Sequence, residues 1–145
     1  MFKRILLASD GSPASEHAAQ TAIGLARTHG ARLTAIYVVD PYPYMGIGEA
    51  NPMGFDAYMS AAREHAAAAH AHLSELCSQG EPVDLQLRLV EDVTAVEGVL
   101  TTARDGAPDL IDVGPHGRSG LGRALLGSVA GKVVANSKVP VLVVR

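Results

Sequence analysis

The chain has 145 residues, of which 48% are hydrophobic and 19% are charged, and its formal net charge is −3. That length and composition indicate one globular domain, residues 1–145, and exclude both a disordered chain and a pair of domains. The slight acidity argues against general nucleic-acid binding, and no apolar run is long enough for a signal peptide or a membrane span.

The only cysteine is Cys77, so an internal disulfide is excluded. A cysteine without a partner suits a reducing compartment, and we therefore expect a cytoplasmic protein. The simplest interpretation of Cys77 is a small residue of the core.

Apolar runs and capping signals predict the elements of the first part of the chain. Residues 5–8 form a buried strand, followed by a helix that Ser12 caps, Pro13 begins and Gly30 ends. Residues 33–39 form a second strand with the same apolar character.

A proline- and glycine-rich loop and a long helix are predicted next. The loop covers residues 41–54, and its length marks it as mobile or functional. The helix covers residues 55–77, and eight side chains at helical spacing form its predicted buried face: Phe55, Tyr58, Met59, Ala62, Ala66, Ala69, Leu73 and Leu76.

The second half of the chain continues the alternation of strands and helices. Apolar residues alternate with polar ones at Val83, Leu85, Leu87 and Leu89, which indicates an edge strand with one buried face. The elements that follow are a helix with its apolar positions at Val93, Val96, Val99, Leu100 and Ala103, a strand over residues 110–113, a glycine-rich loop over residues 114–122, a helix from near Gly127, and a strand over residues 139–144.

The resulting order is β-α-β-α-β-α-β-α-β, which requires an open parallel sheet with helices on both faces. The two most unusual loops follow the first and the fourth strands. Placing those two strands side by side gives the strand order 3-2-1-4-5, a Rossmann-like α/β fold. It also brings both loops to the edge where such sheets bind ligands.

The strongest chemical signal is the glycine motif G-x2-G-x9-G-S, formed by Gly114, Gly117, Gly127 and Ser128. The first two glycines let backbone amides face a phosphate, and Gly127 permits a close approach. The serine hydroxyl and the open amides of the first helical turn add an anion site. Residues 113–145 also carry five basic residues and no acidic one. A glycine-rich turn without a ligand is the alternative.

Competing motifs are missing from the sequence. It contains no G-x4-G-K-[S/T] loop, no G-x-S-x-G elbow and no G-x-G-x-x-G after the first strand. His65 and His72 are two helical turns apart, roughly 10 Å, which is too far for one metal ion. We therefore predict no metal site built from protein ligands alone.

Four segments carry a resemblance to a known family. They are I-L-L-A-S-D-G-S at residues 5–12, D-L-I at residues 109–111, the glycine-rich run between residues 117 and 129, and P-V-L-V-V at residues 140–144. In these segments the chain resembles the universal stress proteins, and specifically their ATP-binding branch. The resemblance covers nearly the whole chain and implies a Rossmann-like domain that dimerises and binds ATP.

The resemblance also implies a set of nucleotide-binding positions. Asp10 would lie beside the adenosine, and the backbone at Val38 would contact the adenine edge. The positions around the ribose and phosphates would be Gly114, Gly117, Gly127, Ser128 and Val129, with His116 and Arg118 in the same loop, and Ala8 completes the set. For His116, stabilising the turn is the alternative to a phosphate contact. Mg²⁺ or Mn²⁺ would be held through the phosphate oxygens rather than in a protein cage.

The chain departs from the family's pattern at three places. Ser9 and Asp112 stand at positions that are usually apolar, and Glu91-Asp92 stands where the family usually has a glycine. A lone buried carboxylate is costly, so Asp112 needs a partner or a raised pKa. We expect Ser9 and Asp112 to hydrogen-bond across neighbouring strands. An Asp112 that pointed into the cleft would instead weaken triphosphate binding.

The last strand is predicted to lie at the outer edge of the sheet. Its residues Val141, Leu142, Val143 and Val144 would leave that edge apolar and unprotected. Pairing with a second copy across a two-fold axis would cover the edge and produce a homodimer. A loop that covers the edge is the alternative.

Three functions are compatible with these patterns. The leading one is a regulatory binding module, not an enzyme, in which ATP occupancy controls partners or stress survival. Asp10 could orient a water molecule, but no tuned general base accompanies it. The alternatives are a slow ATPase or nucleotidyl transferase, and an interaction dimer that binds no nucleotide.

Overall fold

A computed structural model describes residues 1–42, 52–115 and 126–145. In chain order the elements are β1 (Arg4–Ala8), α1 (Pro13–His29), β2 (Arg32–Val39), α2 (Pro52–Ser78), β3 (Asp84–Glu91), α3 (Ala95–Gly106), β4 (Leu110–Val113), α4 (Ser128–Asn136) and β5 (Val141–Val143). All strand pairs are parallel, and the order β3-β2-β1-β4-β5 confirms the predicted topology.

The sheet separates two hydrophobic layers. Because side chains alternate along a strand, Ile5 and Leu7 of β1 face α1 and α2, whereas Leu6 faces α3 and α4. Cys77 belongs to the first layer and is only 6% exposed, so its interpretation as a core residue is confirmed. None of the helices in the described part of the chain is long and apolar enough to cross a membrane.

Helix ends follow the capping signals of the sequence. The Ser12 hydroxyl accepts a hydrogen bond from the Ser15 amide at 3.3 Å, and Gly30 ends α1 with φ +62°. A capping box that the sequence analysis missed begins α3, where Thr94 and Glu97 each receive the other's backbone N–H. These two N-caps determine the residues at which α1 and α3 begin.

Arg27 connects the end of α1 to the end of α2. Its guanidinium donates to the backbone carbonyls of Glu81 at 2.9 Å, Gln79 at 2.6 Å and Cys77 at 3.3 Å. Carbonyls at the end of a helix lack partners within the helix, so a guanidinium is well suited to bind them. The C-terminal end of α2 is therefore held against α1.

The structure corrects four details of the predicted elements. Helix α2 begins at Pro52 rather than at residue 55, because proline suits the first helical position. Phe55 was expected in the buried face but is 41% exposed, with its ring edge-on to Tyr42. Leu87 and Leu89 are also exposed, at 39% and 42%, because β3 is the edge strand and the helical layer does not cover it fully. Strand β5 is shorter than the predicted residues 139–144.

Asp92, in the segment where the family usually has a glycine, adopts a left-handed backbone conformation. Its φ is +63°, a value that glycine adopts at little cost and that asparagine and aspartate tolerate better than most residues. The chain after β3 therefore turns at Asp92 in a conformation that is uncommon for residues other than glycine.

The expected hydrogen bond between Ser9 and Asp112 is wrong. Asp112 is opposite Leu7 in β1 and Leu142 in β5. Ser9 therefore lies two residues beyond Leu7, the residue of β1 that faces Asp112 in the register. The side chain of Asp112 is fully buried, and neither carboxylate oxygen has a hydrogen-bond partner in the described structure. It lies on the sheet face of Leu7, away from the α3 and α4 layer. Burial raises the pKa of this carboxyl from 3.8 to about 8.

This raised pKa predicts a specific dependence of stability on pH. The folded state binds the Asp112 proton more tightly than the unfolded state does. The contribution of this protonated carboxyl to the free energy of unfolding is therefore fully present below pH 4 and is lost as the pH rises towards 8. Within that window the slope is about 1.4 kcal/mol per pH unit. Asp112→Asn removes the ionisation, so its free energy of unfolding should exceed that of the wild type increasingly from pH 5 to pH 8.

Urea unfolding across this pH range measures the difference between the two proteins. Asp105→Asn is the matched control, because Asp105 is exposed and paired with Arg104, and it should keep the wild-type profile. Parallel profiles for the wild type and Asp112→Asn would contradict the prediction.

Candidate functional site

A cavity of about 330 Å³ lies at the carboxyl ends of the central strands, between the ends of β1, β2 and β4 and the start of α4. Seven of the ten positions predicted to bind nucleotide line it: Ala8, Asp10, Val38, Gly114, Gly127, Ser128 and Val129. The other three, His116, Gly117 and Arg118, lie outside the described residues. The strand order explains why these residues lie together. Since β1 lies between β2 and β4 and all three are parallel, their carboxyl ends meet at one edge of the sheet.

The turn after β1 is held by its own side chains and glycine. The Ser9 amide donates to the Ile36 carbonyl at 3.0 Å, which extends the pairing of β1 with β2. Asp10 then accepts a hydrogen bond from the Ser12 amide at 2.9 Å, and Gly11 has φ +74°. One carboxylate oxygen of Asp10 is therefore used to shape the turn.

The start of α4 presents backbone donors to the cavity. Gly127 occupies the N-cap position, where it has no side chain to cap the helix. Its own amide donates to the Pro115 carbonyl at 2.7 Å, and the first helical hydrogen bond runs from Gly131 to the Gly127 carbonyl. The amides of residues 128–130 precede that bond and so have no acceptor within the helix. The residues that carry them line the cavity, where they can bind an anion.

The opposite wall of the cavity is apolar and closely packed. Val38, Ile36 and Val99 line it, together with Ala8. Gly98 of α3 is buried, and a Cβ atom at that position would lie 2.7 Å from Cγ2 of Val38 and 3.1 Å from Cγ1. The sequence analysis missed Gly98, although a glycine inside an amphipathic helix is a recognised sign of close packing. Its missing side chain permits α3 to approach the wall that Val38 forms.

Asp40 is another cavity residue that the sequence analysis missed. It follows β2 directly, at the same edge of the sheet as Asp10, and both residues line the cavity. Its position after an apolar strand was the signal that could have identified it. Asp112, by contrast, does not line the described cavity, so its charge is not directed at a ligand there.

A larger cavity of about 420 Å³ lies on the other face of the sheet, between α1 and α2. Its polar residues include Ser12, Glu16, His65 and His72, and the His72 ring is 3.4 Å from the Glu16 carboxylate. Ser9, Asp10 and Ser15 line both cavities. Size alone would favour this second cavity, but the glycines and open amides converge on the smaller one.

The histidines do not form a metal site in the described part of the chain. No group of three or more histidine, cysteine, aspartate or glutamate side chains is placed to hold an ion there. His70 packs edge-on against Tyr37, and burial lowers the pKa of its imidazole. His70 therefore has a packing role, whereas His65 and His72 are exposed.

The contact between Gly98 and Val38 predicts a coupled effect on stability. Gly98→Ala should lower the free energy of unfolding by about 1–3 kcal/mol, because valine is stiff and the helix must move. Val38→Ala in the same chain should recover part of that loss, which a double-mutant cycle in urea measures. Gly131→Ala is the control, since a Cβ there meets nothing within 4 Å and should not destabilise the protein. Additive effects of the two substitutions would contradict the packing argument.

Comparison with known proteins identifies relatives of this chain. The model of the Universal stress protein family matches residues 1–145. A universal stress protein of Thermus aquaticus is 37% identical over 146 residues, covering 100% of both chains.

Solved structures agree with the fold. The universal stress protein UspA of Lactobacillus plantarum superposes with a TM-score of 0.82 at 24% identity, covering 99% of this chain and 97% of the other. Two further neighbours were solved as nucleotide complexes. One is a universal stress protein in complex with cAMP, with TM-score 0.63 at 24% identity and coverages of 99% and 97%. The other is from Archaeoglobus fulgidus, in complex with dAMP, with TM-score 0.67 at 18% identity and coverages of 99% and 98%.

From the full-length family match and the relative that shares its whole length, we conclude that this chain belongs to the universal stress protein family.

Proposed function

We propose that this protein is an ATP-binding regulatory module of the stress response. The observation that carries the proposal is the start of α4, where an uncapped helix presents its first amides to a cavity between β1 and β4. Backbone donors at a helix N-terminus suit phosphate oxygens, because both the N–H groups and the helix dipole favour negative charge. The phosphates would lie at this end of the cavity.

The apolar wall supplies the complementary half of a nucleotide site. Ile36, Val38 and Val99 offer an aliphatic surface for a base, while Asp10 and Asp40 supply carboxylates that could accept from ribose hydroxyls. The cAMP and dAMP complexes of structural neighbours support an adenine nucleotide as the ligand class. ATP is the member that we propose here, because the G-x2-G-x9-G-S motif resembles that of the family's ATP-binding branch.

A divalent cation fits this site only together with the nucleotide. Asp10 and Asp40 are oxygen donors of the kind that Mg²⁺ or Mn²⁺ accepts, but no complete ligand group exists among the described residues. The phosphate oxygens would therefore provide most of the coordination. When bound, the ion would neutralise charge on the phosphates.

Binding rather than turnover is the proposed activity. The described wall of the cavity contains the carboxylates of Asp10 and Asp40 but no histidine, lysine or arginine. Asp10 already accepts the Ser12 amide, which gives it a role in the turn. A general base must reach the attacking water in the correct protonation state, and these two carboxylates are the only titratable side chains on the described wall. We propose the cytoplasm as its location.

Nucleotide binding can be tested on the purified native protein. Mass spectrometry of the released small molecules should detect an adenine nucleotide, and calorimetric titration should show ATP binding that Mg²⁺ strengthens. Gly127→Val should weaken the binding of ATP by at least about tenfold, because the valine side chain would obstruct the approach to the α4 amides. Gly131→Val is the matched control on the same helix, with open space around its Cβ position, and should keep the wild-type affinity.

Three outcomes would contradict the proposal. They are the absence of bound nucleotide together with an ATP dissociation constant above about 1 mM, an unchanged affinity in Gly127→Val, and steady ATP hydrolysis that Asp10→Ala abolishes. The last of these would instead identify an ATPase. Circular dichroism of each variant verifies that the fold is retained.

We also propose that the protein is a homodimer paired through β5. The Val144 amide donates to the Val113 carbonyl at 2.9 Å, and the Ile111 amide donates to the Pro140 carbonyl at 3.0 Å. Since backbone groups alternate in direction along a strand, the N–H groups of Val141 and Val143 point away from β4. No described strand pairs with that side of β5, so it is an open edge that a second copy can cover.

Sedimentation equilibrium should give a mass near twice the 15.1 kDa of one chain. Val143→Pro should produce monomers, because it removes an outward N–H without removing a hydrogen bond to β4. Val143→Thr keeps that N–H and should remain dimeric. A monomeric wild type, or a Val143→Pro variant that stays dimeric, would refute pairing through this edge.

A further inference from the structure

A third cavity, of about 170 Å³, lies at the amino end of the sheet, on the face that α3 covers. Its polar lining comes from three strands and one helix: Arg4, Arg32, Thr34, Gln86, Arg88 and Thr102. Residues 4–8 separate this end of β1 from the proposed nucleotide site by roughly 13 Å. No described residue lines both cavities.

The register of the sheet explains why three arginines meet here. Arg4 and Arg32 are direct partners in the pairing of β1 with β2, so their side chains emerge on the same face. Arg88 is opposite Ile36, four residues along β2 from Arg32, and therefore shares that face. Helix α3 ends at Gly106 and borders the cavity without filling it.

The positive charges of this cavity are only partly compensated. Arg32 forms an ion pair with Asp84 at 2.8 Å, whereas Arg4 and Arg88 have no side-chain partner among the described residues. The nearby carboxylate of Asp109 accepts the backbone amides of Lys3 and Arg4, and neither Asp84 nor Asp109 lines the cavity. The C-terminus of α3 contributes about half a negative charge at most. Three arginines thus line one cavity to which no described carboxylate contributes.

Like charges around one cavity repel one another, and a multivalent oxyanion bound between them would reduce that repulsion. Each guanidinium presents a planar fork of donors that matches a carboxylate or a phosphate. The hydroxyls of Thr34 and Thr102 and the amide of Gln86 add neutral donors in the same cavity. The volume is about half that of the proposed nucleotide site, which suits a small ligand.

We propose that this cavity binds a small anion with two or more carboxylate or phosphate groups. The ligand bridges Arg4 and Arg88 and leaves the ion pair between Arg32 and Asp84 in place. Such a site gives the protein a second ligand, recognised at the opposite end of the strands from the nucleotide.

Nuclear magnetic resonance titration locates the binding directly. The probes are inorganic pyrophosphate and citrate, with acetate as a monovalent control at equal ionic strength. Binding should shift the amide signals of Thr34, Gln86 and Thr102 in a saturable manner, whereas acetate should not. Because pyrophosphate can also contact α4, the Ser128 amide reports that site separately. Tighter binding of pyrophosphate identifies phosphate ligands, and tighter binding of citrate identifies carboxylates.

Charge variants test which residues hold the anion. Arg4→Gln combined with Arg88→Gln should weaken binding at this site by at least about tenfold, and each single change should have a smaller effect. Arg104→Gln is the matched control, because Arg104 is an exposed arginine paired with Asp105 outside the cavity. Asp84→Asn releases Arg32 and removes a negative charge, so it should strengthen binding several-fold.

Two results would overturn this assignment. One is the absence of saturable shifts at the amino end of the sheet with either probe at tens of millimolar. The other is an affinity in the double variant equal to that of Arg104→Gln. Since Arg4 and Arg88 are exposed, these substitutions leave the core unchanged, and circular dichroism verifies the fold.

Discussion

The parallel pairing of β1 with β2 on one side and β4 on the other is the constraint on which the rest of the molecule depends. Because the strand order reverses at β1, the turn after β1 and the chain after β4 leave the sheet next to each other. A cavity between them then follows from the topology. The side chains of these segments decide only what that cavity accepts, and here they supply glycines, open amides and two carboxylates at one rim.

Capping and topology were predictable from the sequence because they depend on local residues. Ser12, Pro13 and Gly30 each specify a helix end through their own geometry, and the alternation of strands and helices requires a parallel sheet. Most of the candidate site was predictable for the same reason, together with the family resemblance. Its glycine motif follows β4, which the topology places beside β1.

Contacts between distant segments were not predictable in this way. Gly98 is recognisable as a packing residue only when Val38 is seen beside it. The hypothesis of a bond between Ser9 and Asp112 failed because neighbouring strands do not reveal their register in the sequence, and a shift of two residues separates the two side chains. The exposure of Leu87 and Leu89 depends on how far the helical layer extends over an edge strand. Each of these facts is set by the relative position of two elements rather than by either one.

The connection that Arg27 makes to the end of α2 has a geometric consequence for the opposite end of that helix. With 27 residues, α2 is roughly 40 Å long, so a tilt of about 5° at its anchored end moves the other end by roughly 3.5 Å. The cavity between α1 and α2 is lined by α2 residues from His65 to Leu76, within about 20 Å of the anchored end. The same tilt would therefore change the width of this cavity by less than about 2 Å, so the Arg27 contacts hold the cavity nearly constant in width even if the Pro52 end of α2 moves.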